Sequence, residues 1–415
     1  MGIFEDSPEY KERISRPFVP PKINFKDVHD AVPKHLLQKN FFLSCWFIFQ
    51  NLALCGVMFA FAARIDQMAV SLSQSLFAGQ ASALQMFALK GGLWFVYQWF
   101  QGLLFAGIFC LAHECGHQTL FNSRVANDSV GFVISALIML PYYAWQITHN
   151  QHHKAVGSLE RDENFVPRTR QNYKLPPEKR ATKTDYSAIF DEAPAMTLWR
   201  IFVMQAFGWW AYIGAHVMGS NKYPDAPNFF SPWSSYFKPE QRRLIVINDI
   251  GLTVMTSLLV TYAIRTSWTS LFVLWFLPYM ICNHWIVMIT FLQHSDPSIP
   301  HYRGKAWTYF RGALLTVDRP ILGSLGRFFF HGLAHDHVAH HLFSSVPFYN
   351  YPEITPILRD VLKHDYNYDS TNSFYALYRS FKECTFVEDE GEILFYKNTE
   401  GKVAREIDPK AYEQD

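Results

Sequence analysis

The sequence predicts an all-α integral-membrane protein: four transmembrane helices in two hairpins, re-entrant or interfacial helices, and a cytosolic helical domain. Three observations carry this. Four apolar runs reach the roughly 20 residues that a helix needs to cross a bilayer. Lysine and arginine are scarce in the two linkers inside the hairpins and abundant elsewhere. No comparable apolar run follows residue 290.

Taken in order, residues 1–40 are polar and contain Pro17, Pro20, Pro21 and Pro33, with no short apolar region near the start. They read as a cytosolic tail rather than a cleavable signal. The remainder, 41–415, reads as one membrane domain. Runs 41–63 and 93–112 are free of formal charge. Run 244–264 carries only Asp249, and run 267–290 has His284 as its one ionisable side chain. Two shorter stretches, 130–147 and 201–215, suit re-entrant or interfacial helices better than full spans. The hairpin linkers hold Arg64 and Lys90 in one case and Arg265 in the other. The tail, the segment after His149 and the C-terminal 120 residues are all rich in Lys and Arg. The positive-inside rule therefore places both ends and the middle segment in the cytosol, with a cytosolic cap formed by 149–197 and 291–415. Buried helices of a soluble protein would be the competing explanation, but paired runs of this length are rare in soluble cores.

Composition agrees. Of 415 residues, 49% are hydrophobic and 18% charged, and the net charge of +1 gives no reason to expect a nucleic acid partner. Cys45, Cys55, Cys110, Cys115, Cys282 and Cys384 include no CxxC pair and mostly lie in apolar stretches, so neither a disulfide framework nor a zinc ribbon is indicated.

Eight of the seventeen histidines fall in three clusters. The first is His113-Glu114-Cys115-Gly116-His117, directly after the second apolar run. The second is His149-Asn150-Gln151-His152-His153, and the third His337-Val338-Ala339-His340-His341. Positions i, i+3 and i+4 share one helix face, so each cluster can aim two or three imidazoles at one point. Imidazole suits iron, copper and zinc. Eight such ligands are too many for one metal and suit two. If 130–147 dips in and returns, all three clusters meet at one cytosolic surface. Two other classes compete. His113-Glu114-x-x-His117 matches the HExxH signature of zinc proteases, although a protease would leave six of the clustered histidines without a task. A transporter would place its ligands near the bilayer midplane on broken helices, whereas these sit at the ends of spans.

These motifs resemble the three boxes of the membrane fatty acid desaturases, and the resemblance runs from about residue 30 to about residue 400. Within that family the chain is similar to the fungal-type acyl-lipid Δ12 (oleate) branch. The stretches that carry the likeness are HECGHQ (113–118), HHKAVGS…RDENFVPRTR (152–170), ITFLQHSDPSIPHYR (289–303), RGALLTVDR (311–319), HVAHHLFSSVPFYN (337–350) and SFKECTFVEDEGEILFYKN (380–398). The resemblance implies an oxidoreductase with two iron ions (Fe2+) that uses O2 and two electrons to insert a cis double bond at the Δ12 position of oleoyl chains. It implies His113, His117, His149, His152, His153, His337, His340 and His341 as iron ligands, with His294 at the end of the fourth span as the ninth. It also implies phospholipid-linked oleate as substrate and an endoplasmic reticulum location with the site facing the cytosol. No His-Pro-Gly-Gly haem signature is present, so a separate cytochrome b5 and its reductase would supply the electrons. An ω-3 or bifunctional Δ12/ω-3 enzyme would share the same boxes.

Around the boxes, Glu114 is expected to orient an imidazole, and His335 and Asp336 to hydrogen-bond the third box. Asp336 stands where this branch more usually has threonine. His284 lies ten residues before His294, about 15 Å deeper on a continuous helix, and reads as a buried polar or tunnel-wall group. His216 and His301 have no assigned role, and most tryptophans read as interface anchors or packing.

Overall fold

The structure is a computed structural model, and it describes residues 2–223 and 225–412. Its regular secondary structure is almost wholly helical. The only sheet among the described residues is the antiparallel pair His301–Tyr302 and Ile393–Leu394. Four helices are long and apolar enough to cross a membrane: Phe41–Ala62, Ala83–Gly116, Pro239–Arg265 and Trp268–His294. Their outward faces expose large apolar side chains such as Phe42, Trp46, Phe49, Leu258 and Ile264. That is the arrangement expected where lipid, not water, is the outer solvent.

The second of these helices is the longest. Ser82 accepts from the Gln85 backbone while the Gln85 side chain accepts from the Ser82 amide, so a capping box starts it ten residues ahead of the apolar run. At 34 residues it spans about 51 Å, well beyond a hydrocarbon core of about 30 Å. Its surplus turns carry His113 into the protein interior. The hairpin linker contains a further helix, Ile65–Phe77, which buries Ile65, Ala69 and Ser73.

The stretch expected to be re-entrant is two helices, Arg124–Leu137 and Tyr142–Ala155, bent by 114°. The bend has a local cause. Pro141 lacks an amide hydrogen and disfavours helix at Leu140, and Met139 sits in the left-handed region at φ 52°. Asp128 then ties the two arms to the first box. It accepts from Gln118 Nε2 at 2.8 Å and from Gln146 Nε2 at 3.1 Å. The stretch expected to be interfacial is the helix Pro194–Ala215, which packs on the fourth span.

The fourth span is interrupted by a π turn at Phe272–Phe276, followed by Pro278. Pro278 cannot donate a helical hydrogen bond, and the wider turn ahead of it absorbs the mismatch.

The first forty residues do not hang free. Ser7 Oγ donates to Asp369 at 2.8 Å, Arg13 Nε donates to Ser298 Oγ at 2.8 Å, and Phe18 bonds through its backbone to Glu406 and Asp408. The polar tail foreseen from composition is thus packed onto the C-terminal region, because Ser7 satisfies the buried Asp369 and Arg13 satisfies Ser298 Oγ and the Tyr368 carbonyl there.

Candidate metal centre

Four elements deliver nine histidines to one place. The end of the Ala83–Gly116 helix and its cap supply His113 and His117. The Tyr142–Ala155 helix supplies His149, His152 and His153, and the last residue of the fourth span is His294. The short helix His337–Leu342 supplies His337, His340 and His341. Their ring nitrogens sort into two groups. His113, His117, His149, His153 and His340 offer atoms within 4.8 Å of one another, and His152, His294 and His341 do the same. His337 joins the second group, its Nε2 lying 3.2 Å from His294 Nε2 and 3.1 Å from His341 Nε2.

The second cluster therefore divides between the groups. His149 and His153, four residues apart on the helix, turn to the first, while His152 turns to the second. His340 and His341 divide in the same way. Adjacent residues on a helix point about 100° apart, so each HxxHH motif feeds two sites at once.

The donor set fits metal ions. His153 Nε2 lies 3.1 Å from both His149 Nε2 and His340 Nε2, and one ring nitrogen cannot satisfy two such neighbours by hydrogen bonding alone. Spacings of about 3 Å are the edges of a coordination polyhedron whose metal–nitrogen bonds are about 2.1 Å. His117 Nε2 and His152 Nε2 are buried without a hydrogen-bond partner among the described residues. Burial also pushes His337, His340 and His341 well below the ordinary imidazole range, which keeps them in the neutral form a metal requires.

Carboxylates orient the rings. Glu114 Oε1 lies 3.2 Å from His113 Nδ1, while its Oε2 accepts from Thr119 Oγ1 at 2.8 Å and from the Phe348 amide at 3.2 Å. Asp162 Oδ1 lies 2.7 Å from His152 Nδ1, and its Oδ2 accepts from the Gly157 amide at 2.8 Å. In each pair, donation from Nδ1 leaves Nε2 free to face the centre. Sequence reasoning missed Asp162. It lies among Glu160, Arg161 and Glu163, and only the turn back over Gly157 separates it from its acidic neighbours. Both Glu114 oxygens are thus tied to His113, Thr119 and Phe348, an orienting role rather than the water-activating one that the HExxH reading would require.

The side chains of His335 and Asp336 turn away from the third box, although the Asp336 carbonyl accepts from the His340 amide at 3.0 Å. His335 Nε2 bonds the Gly323 carbonyl at 2.9 Å, while the Asp336 carboxylate takes Arg327 Nη1 at 2.7 Å and Thr355 Oγ1 at 2.9 Å. Sequence proximity misled here, because Asp336 precedes the box helix and turns to its far side. The contact that does hold that helix comes from Asp318, whose Oδ1 accepts from the Val338 amide at 2.8 Å. The same segment clips on the fourth span. Val317 N donates to Gln293 O, Arg319 Nε to Leu292 O and Arg319 N to Ala334 O. His294 and the third box are thus joined by one three-residue brace.

The remaining histidines lie elsewhere. His216 bonds Tyr236 and the Ser220 carbonyl, His301 packs edge-on to Tyr396, and His284 is half-buried beside Trp285.

An apolar cavity ends on the nine-histidine centre. Phe109, Trp145, Met204, Trp209, Val287 and Phe291 wall it, and His113, His149, His152, His294 and His337 close its inner end.

Comparison with known proteins follows the same line. The fatty acid desaturase family model matches residues 91–372. A Delta(12) fatty acid desaturase of Mortierella isabellina is 36% identical over 395 residues, covering 93% of this chain and 94% of that protein; the Mortierella alpina protein of the same name matches to the same extent. An oleate hydroxylase of Claviceps purpurea is 32% identical over 414 residues, covering 92% of this chain and 82% of that protein.

Proposed function

The chain belongs to the fatty acid desaturase family and is an oxidoreductase; from that premise we propose that it converts oleoyl chains of membrane lipids to linoleoyl chains. The observation that carries this is the junction of an apolar cavity with nine converging imidazoles. The cavity suits a hydrocarbon chain and little else, and the imidazoles suit two iron ions (Fe2+). His113, His117, His149, His153 and His340 would hold one ion, and His152, His294, His337 and His341 the other. Two such ions, when bound, supply the O2-dependent oxidising power that an unactivated C–H bond demands.

The chain's own residues perform the rest. Phe109, Trp145 and Trp209 press the acyl chain against the imidazole wall and exclude water. Glu114 and Asp162 fix the tautomer and the aim of His113 and His152. Electrons would come from a separate cytochrome b5 and its reductase, and the natural setting is the endoplasmic reticulum membrane with the centre facing the cytosol. Tags near residue 175 and near residue 412 should then read as cytosolic, and a tag near Gly79 as lumenal.

The deciding experiment is expression in a yeast that makes only monounsaturated fatty acids, followed by analysis of fatty acid methyl esters. Linoleate formed from oleate is the expected product. A hydroxylated C18 acid instead would place the chain with its Claviceps relative. Trienes made only from supplied linoleate would make it an ω-3 enzyme.

A further inference from the structure

The apolar cavity does not stop at its outer end. Met204, Val217, Met218 and Phe291 form a waist shared with a second, polar cleft between the segments around 166–200 and 381–399. Three cations line that cleft. Arg200 is held by Glu192 at 2.9 Å. Arg168 and Lys382, in contrast, make no ion pair and no side-chain hydrogen bond among the described residues, although both line the cleft. Tyr173, Thr385 and Thr399 add hydroxyl groups. Beyond Phe190 and Lys382 the cleft opens into a further surface groove carrying Lys183, which also has no ion-pair partner among the described residues. Glu192 in the cleft and Asp191 and Glu400 in the groove are outnumbered by the cations beside them, so from the inside outward the path runs from imidazole to hydrocarbon-lined wall, then to a net cationic mouth.

An amphiphile follows the same order of chemistry. We propose that the cleft binds the phosphate of the carrier to which the acyl chain is attached, with Arg168 and Lys382 as the cations that hold it. A bare carboxylate would engage only the waist end and leave the outer groove empty; a phosphate-bearing headgroup fills both. The shared chemistry is a phosphate, and its source is either a glycerophospholipid or coenzyme A. This inference rests on the desaturase reading for its apolar end and on unpaired cations for its polar end.

The test uses the full-length protein reconstituted in nanodiscs, supplied with oleoyl groups on phosphatidylcholine, on coenzyme A, or on diacylglycerol, which has no phosphate. Arg168→Glu and Lys382→Glu should each raise KM for the phosphate-bearing carrier about tenfold, the value of one lost charge-assisted contact. The kcat should stay near wild type, and both proteins should handle diacylglycerol-borne oleate alike. The carrier whose KM moves identifies the phosphate source. Native mass spectrometry of the purified protein gives a readout independent of turnover: wild type should retain phospholipid, or bind added coenzyme A ester, and the double variant should not. Because retention does not depend on where the double bond is placed, an unexpected product would overturn the Δ12 reading alone. The proposal fails if the double variant keeps wild-type KM and ligand retention, or if diacylglycerol turnover drops in parallel with the others. Should the charge-reversed proteins lose iron or misfold, Arg168→Gln with Lys382→Gln decides by the same ratio of KM values, and Arg168→Lys should restore it.

Discussion

The two halves of the candidate metal centre are built by different means. Most of the five-histidine group comes from two helices close in sequence, Ala83–Gly116 and Tyr142–Ala155, joined through the bend at Pro141 and the Asp128 tie. Its geometry follows from helical periodicity and one turn. The second group draws on His152, His294, His337 and His341, which are spread over nearly 190 positions of the chain. It depends on the Val317–Arg319 brace, and that brace is itself anchored in a buried charge cluster. Arg319 pairs with Asp296 and Asp369, Arg379 pairs with Asp369 and Asp6, and Ser7 reaches Asp369 from the N-terminal segment. One half-site is thus local and the other is an assembly product, so they should fail differently.

The largest effect should come from the ligands themselves. Alanine at His113, His117, His149, His152, His153, His337, His340 or His341 should abolish desaturation while leaving the protein in the membrane, and His294→Ala should match them. Iron analysis of the purified variants sharpens the contrast. His149→Ala should lower occupancy of the first group and His294→Ala that of the second, from close to two irons per chain in wild type. A fully active His294→Ala would remove it from the ligand set.

Next should come Arg319→Ala. It leaves Arg379 as the one close cation for two buried carboxylates, Asp296 and Asp369, and breaking a buried pair costs about 3–5 kcal/mol. Thermal unfolding in detergent should show a large loss of stability, with the second group's metal lost first. Removing the local tie with Asp128→Ala should cost less, because Gln118 and Gln146 are neutral amides whose separate hydrogen bonds are worth about 1–3 kcal/mol when left unmet, and its one cationic partner, Arg124, is exposed to solvent, where an ion pair contributes little. Equal losses would erase the distinction between the halves.

A smaller change is expected from the orienting carboxylates. Glu114→Gln and Asp162→Asn should each weaken metal retention or turnover by about 10–100-fold, read as iron released to a chelator over time. Unchanged retention in Asp162→Asn would mean that its contact with His152 is incidental.

Smaller still is a pH effect at the brace. Burial raises the Asp318 carboxyl from 3.8 to about 8. Between those values the folded protein binds a proton that the unfolded chain releases, so this group's contribution to stability declines as pH rises from about 4 to about 8. Asp318→Asn, which cannot ionise, should flatten that part of the stability–pH curve. An unaltered slope would assign the pH dependence to another group. At the bottom of the scale, His284→Ala, His216→Ala and His301→Ala should keep substantial activity, since none of the three lies in either group.

Particular residues show where sequence reading succeeds. The four spans, the short apolar helices around residues 130–147 and the three boxes follow from hydropathy, charge placement and i, i+3, i+4 spacing, which are properties of contiguous residues. The same local logic misplaced His335 and Asp336. They adjoin the third box in sequence, but the helix beginning at His337 turns them toward Gly323, Arg327 and Thr355.

What the sequence determined by itself is the four apolar spans and the three clusters of eight histidines, because bilayer length and helical periodicity act on stretches of fewer than thirty residues; the ninth, His294, was reached only through the family resemblance. The tertiary structure alone decided how the nine histidines divide into five and four and that Asp162 joins Glu114 in aiming them. It also decided that the N-terminal segment and the Val317–Arg319 brace hold the second half together. The physical reason is range. A buried carboxylate takes whatever donors the fold brings within about 3 Å, and for Asp369 one of them is Ser7, 362 residues away.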